Sequence, residues 1–94
     1  MHTLGFCNRR TRLDHYDRHG GDFGATRPEE YEQMADEFLG GPRDATTLEC
    51  DAKHGAILRY DPKTNTFGSL NGDGRIKTYF KPRRGEHTAP SNFA

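Results

Sequence analysis

At Gly40-Gly41-Pro42 the sequence changes period, and no other feature constrains the fold as much. Before it, Tyr31, Met34, Ala35, Phe38 and Leu39 recur at helical spacing, with Glu30, Glu32, Gln33, Asp36 and Glu37 on the opposite face. Thr26 as N-cap, Pro28 in the first turn and Glu29 at the capping-box position give that helix a start. After Pro42 the pattern is strand-like, and turn signals recur about every ten residues. It predicts strands over residues 46–50, 56–60, 66–70 and 76–80. Asp61-Pro62-Lys63-Thr64-Asn65 has the chemistry of a tight turn, and Asn71-Gly72-Asp73-Gly74 is the strongest hairpin signal in the chain. Alternation in the last strand puts Ile76, Thr78 and Phe80 on one face and Lys77 and Tyr79 on the other.

Upstream, residues 13–19 predict a short helix that stops at Gly20-Gly21. Phe23 then anchors a loop between glycines. Residues 1–12 form a lead in which Leu4 and Phe6 can reach the core, while Arg9, Arg10 and Arg12 stay in water. The expected architecture is α+β: a short N-terminal helix and one longer amphipathic helix packed on a four-stranded antiparallel meander. With 94 residues and 31% hydrophobic content the chain can bury one modest core. A single domain over residues 1–94 is expected, with its core at about 13–82 and a loosely held tail after Lys81-Pro82.

The formal net charge of zero argues against a uniformly positive nucleic-acid surface, but the charges are segregated along the chain. The stretch from Glu29 to Asp51 is strongly acidic, whereas Arg75, Lys77, Lys81, Arg83 and Arg84 form a run without an acid. Such a run can make a local phosphate-seeking face on a neutral molecule. Any one charge run can equally be a solvated surface. Cys7 and Cys50 are expected as reduced thiols. No apolar run suits a membrane span or a signal peptide, so no membrane anchor is expected. The chain reads as made for the cytosol or cut from a larger exported polypeptide.

The titratable groups gather in His15-Tyr16-Asp17-Arg18-His19, where the two histidines stand at i and i+4 on one helical face. They can divide acid and base roles or hold a metal. A metal would need Asp22, Cys7 or His54 as third ligand, and Tyr16 stands where a metalloprotease carries a glutamate. With no C-x-x-C and no second histidine pair, neither metal nor cofactor is expected. Cleaving RNA without metal needs a base for the 2′-hydroxyl, an acid for the leaving 5′-oxygen, and groups that hold the phosphorane. His19 and His15 can serve as base and acid. Arg18, Lys77, Lys81 and Arg75 can hold phosphate, Thr78 can donate to a non-bridging oxygen, and Tyr79 or Phe80 can stack on a base. Each also has an ordinary structural reading, as a packing, strand-forming or solvent-facing residue.

The ordered series H-Y-D-R-H-G-G-D-F-G-A, E-E-Y-E-Q-M-A-D-E-F-L, R-Y-D-P-K-T-N-T-F-G and D-G-R-I-K-T-Y-F-K-P resembles the C-terminal nuclease domains of contact-dependent inhibition and other polymorphic bacterial toxins. These are colicin D-like members of the barnase, EndoU, colicin and RelE-like superfamily. The resemblance spans about residues 13–82. It implies a metal-independent ribonuclease toxin, often a tRNase, that leaves a 2′,3′-cyclic phosphate in the cytoplasm and is neutralised by a cognate immunity protein, here expected to be acidic. By position it implies His19 as general base and Thr78 in the place of an active-site serine. Phe80 falls at an aromatic, and Arg18 and Tyr16 fall where lysines stand. Arg18 keeps the charge and Tyr16 does not, which leaves Lys77 or Lys81 to compensate. His15 looks typical of the contact-dependent group. A monomer is expected. Two other readings fit the same residues: a non-catalytic RNA- or protein-binding module, and an antitoxin whose acidic middle third faces a basic partner.

Overall fold

A computed structural model of the chain describes residues 2–82. The expected tail and the cations Arg83 and Arg84 lie outside the described residues. Helix α1 spans Arg9–His19, helix α2 Pro28–Gly40, and strands β1 to β4 span Leu48–Asp51, Ile57–Asp61, Thr66–Leu70 and Ile76–Phe80. The strands pair antiparallel in the order β1-β2-β3-β4, so the α+β meander is the observed architecture. The expected first strand, residues 46–50, shifts to Leu48–Asp51. Thr46 instead donates its hydroxyl to Asp61 at 2.8 Å, in the connection that leads to the sheet.

Helix α1 begins four residues before the expected start, because the Asn8 side chain caps it by accepting from the Thr11 N–H at 2.8 Å. Arg9, Arg10 and Arg12 are therefore helical, and no residue of α1 is fully buried. Gly20 continues into a short 3-10 turn, Gly20–Phe23, which closes at Gly24 with φ 71°. A Cβ on Gly20 would lie 2.6 Å from the Tyr16 ring, so this turn can fold back on α1 only with glycine there. Helix α2 starts one residue later than expected. Arg27 is the N-cap residue, and Glu30, not Glu29, takes the Thr26 N–H at 2.7 Å. At its other end Arg59 of β2 donates to the carbonyls of Phe38 and Gly41 at 3.0 and 2.9 Å, placing a cation where the helix carbonyls are unpaired.

Tyr31, Ala35 and Leu39 of α2 are fully buried against the sheet, with Met34 and Phe38 packed beside them. A Cβ on Gly68 of β3 would fall 2.9 Å from Leu39, so glycine lets the helix settle onto the strand. The Tyr31 hydroxyl donates to the Tyr79 carbonyl across the core. Burial pushes the phenols of Tyr31 and Tyr79 well above the ordinary tyrosine range.

The N-terminal lead is ordered by two acids of α2. Asp36, placed by the periodicity on the polar face, is buried. Its carboxylate accepts from the N–H groups of His2 and Thr3, at 2.9 and 2.7 Å, and from the Thr3 hydroxyl. Burial disfavours its charge, but these donors outweigh that and hold the carboxyl below the usual range. Glu32 accepts from the Phe6 N–H at 3.0 Å and pairs with Arg12 at 3.3 Å. Phe6 thereby reaches the core and bridges Ile76 in parallel, shielding the edge of β4. Asp36→Ala should cost about 1–3 kcal/mol in urea unfolding at neutral pH, because three donors lose their acceptor. A carboxyl held low in the folded state stabilises above its unfolded pKa and loses that contribution as pH falls through the depressed value. The gap between Asp36→Ala and parent should therefore narrow below about pH 3.8.

Candidate active site

A bulge decides which side chains of β4 face which way. Leu70 pairs with Ile76 and Ser69 with Thr78, so Lys77 is an extra residue opposite a single step of β3. Ile76 consequently joins Tyr79 in the core under α2, while Thr78 and Phe80 face away. Strict alternation places Ile76 with Thr78 and Phe80, and Lys77 with Tyr79. The bulge breaks that phase by one residue. Gly68 and its partner Tyr79 lie on the helix side, so the neighbouring pairs Ser69 with Thr78 and Phe67 with Phe80 line the open face.

His19, the last residue of α1, reaches the margin of that open face. Its ring lies 5.4 Å from Phe80, and Phe80 in turn lies 5.4 Å from Phe67. Thr78 stands two residues back on the same face, about 7 Å along the strand. Partial burial, then Arg18 and His15, lower the pKa of His19 below 6.5, against smaller opposing effects of Asp22 and Asp14. Its imidazole is thus neutral at pH 7 and able to take a proton. His15 stands one turn earlier, its ring 6.2 Å from His19 and 5.2 Å from Phe6. The Thr11 carbonyl holds its Nδ1 at 2.9 Å, which leaves Nε2 for chemistry. Arg18 is exposed and its guanidinium meets Asp14 at 2.5 Å. An exposed pair of this kind is worth about 1 kcal/mol or less, so an incoming phosphate can compete for it.

Several other expected site residues are elsewhere. Tyr16 packs its ring against Gly20 and Tyr31. Tyr79 is buried and stacks on Phe23 with ring centroids 4.1 Å apart, so its face is not offered to a base. Lys81 lies on the helix side, bonded to the Thr64 carbonyl at 2.7 Å and the Thr66 hydroxyl at 3.0 Å, with its ammonium over Phe23. It does not meet His19. Arg75 pairs with Asp73 at 3.7 Å in the β3–β4 turn. Lys77 is on the open face but toward that turn. Phe67 is the neighbour of the site that the sequence reading missed. Its place opposite Phe80 follows from the bulge at Lys77, which moves the pairing one residue from the register that the Asn71 to Gly74 turn alone would set. Among the described residues no three metal-ligating side chains converge, so His15 and His19 have no third partner. No described helix is long and apolar enough to cross a membrane.

No family model and no curated protein matches the chain. Among solved structures the chain is similar to a ribonuclease from Escherichia coli complexed with its inhibitor protein, at 19% identity and a TM-score of 0.59. The match covers 81% of this chain and 87% of that one. The likeness is one of fold, which in this chain is two helices packed on a four-stranded antiparallel sheet.

Proposed function

We propose that the chain is a metal-independent endoribonuclease acting at the His19 edge of the open sheet face. The observation that carries this reading is the meeting of a depressed-pKa imidazole, His19, with Phe80 on the strand that also bears Thr78. Neutral His19 takes the proton of a ribose 2′-hydroxyl, and the freed oxygen attacks the adjacent phosphorus. Arg18 turns from Asp14 to the phosphate, Thr78 donates its hydroxyl to a non-bridging oxygen, and Phe80 offers a ring face to a base. The 5′-oxygen leaves with a proton from Nε2 of His15, giving a 2′,3′-cyclic phosphate and a free 5′-hydroxyl. Lys81 has no part in this arrangement, because its ammonium is engaged on the other side of the sheet.

Transfer RNA is the proposed substrate and toxicity in the cytoplasm of a target cell the proposed outcome, on the strength of the ordered motif resemblance. An acidic inhibitor protein that covers the basic run from Arg75 onward is the proposed partner; the fold neighbour's inhibitor complex supports a partner of this kind. Incubation of the purified chain with total tRNA in EDTA should yield discrete fragments with cyclic-phosphate ends. Loss of cleavage in EDTA would point to metal, and intact RNA in every buffer would favour the binding-module reading. The base must be neutral to act, and its pKa lies below 6.5. The midpoint of the acid limb of the cleavage profile should therefore lie below 6.5, the pH at which an unperturbed histidine is half protonated.

A further inference from the structure

The open face continues past Thr78 into a groove of about 640 Å³ at the opposite end of the sheet from His19. Two turns wall it. One is the β1–β2 connection carrying Lys53 and His54, and the other is the Asn71 to Gly74 turn, with Lys77 at the bulge and Ser69 in the floor. Ser69 is the strand partner of Thr78, so the groove begins one residue pair from the proposed reaction centre. Lys53 and Lys77 supply two positive charges and His54 a ring donor. The acid on the rim, Asp73, is occupied by the Arg75 guanidinium and accepts its N–H at 2.9 Å. The wall is held in a costly shape. His54 has φ 60° and ψ 32°, a left-handed conformation that a residue with a Cβ rarely adopts, and Gly55 follows at φ 78°. The second turn presses against it so closely that a Cβ on Gly72 would lie 2.1 Å from the His54 carbonyl oxygen. Strain of this kind persists where the surroundings impose it, and here it fixes the backbone of His54 at the wall of an open groove that Lys53 and Lys77 also line.

We propose that Lys53, His54 and Lys77 form a second phosphate subsite, which holds the nucleotide next to the one cleaved at His19. The inference rests on the ribonuclease reading for its substrate but not for its test. Lys77 stands about 10 Å of strand from Phe80, so the two sites take different phosphates of one extended strand. Single-stranded RNA therefore lies along the open face, from the aromatic pair Phe67 and Phe80 to the paired turns.

Binding of a non-cleavable 2′-O-methyl RNA octamer, followed by fluorescence anisotropy across a salt series, tests the subsite whether or not the protein cuts RNA. The Lys53→Gln/Lys77→Gln variant should bind about tenfold more weakly. Its plot of log affinity against log salt should be shallower by about 0.7 for each phosphate left without its lysine. His54→Gly should bind more weakly while melting at a higher temperature, since glycine accepts the left-handed backbone, and that separates weaker RNA recognition from a damaged fold. Parental affinity and salt slope in both variants would overturn the proposal. If the parent cleaves RNA, the double variant should raise KM several-fold more for an octamer than for a dinucleotide. Equal loss on both substrates would place the lysines at the scissile phosphate and overturn a separate subsite.

Discussion

Replacing His19 by alanine should lower the rate of RNA cleavage about 10²- to 10⁴-fold, the usual contribution of a positioned general base. Stability should change little, because the ring is only half-buried and makes its contacts at the margin of the core with Phe80. Its lowered pKa even works against the fold in acid. The unfolded chain binds more protons than the folded one between the depressed value and 6.5, so stability declines as pH falls through that window, and the alanine variant should lack this component. RNA affinity should survive, since Arg18 and the basic groove remain. A variant that cuts at the parental rate removes His19 from the mechanism. A variant that loses cleavage together with its melting transition makes His19 a packing residue. Arg18→Gln is a useful companion: it should raise KM and lower kcat, and it should also lift the pKa of His19, because the second-largest cause of that depression is gone.

The largest effect on stability is expected at Leu39. It is 1% exposed and sits on Gly68, where helix and sheet are in close contact. Leu39→Ala should cost about 2–5 kcal/mol in urea unfolding, from lost transfer free energy and the cavity left behind. Gly68, directly beneath Leu39, has no side chain with which to fill that cavity. Adding Gly68→Ala should recover part of the loss, because the new Cβ occupies space the leucine has vacated. The same Gly68→Ala change in the parent should destabilise, since its Cβ would meet Leu39 at 2.9 Å. The two substitutions would then be non-additive in a double-mutant cycle. Additive costs would mean that helix and sheet do not meet at this point.

Local rules explain which parts of this molecule could be read in advance. The helix from Pro28 and the four strands follow from periodicity and turn chemistry, both of which are written within a few residues. The mislocated boundaries share one cause. Asn8 as a helix cap, and Glu30 rather than Glu29 bonded to Thr26, each depend on a single side-chain rotamer that spacing does not specify. Periodicity assigns Asp36 to water because its partners, His2 and Thr3, are more than thirty residues away.

The candidate site divides in the same way. Residue order alone dictates that His15 and His19 share a helical face, that a meander follows, and that its last strand carries Thr78 and Phe80. Packing in three dimensions adds that one extra residue at Lys77 turns Ile76 and Tyr79 inward and Thr78 and Phe80 outward, that Lys81 is spent on Thr64 and Thr66, and that two distant turns close on each other at His54 and Gly72. The division arises because helix and strand preferences act over one or two turns of chain. Strand register, a bulge and the approach of two loops are settled by packing between segments that the sequence keeps far apart.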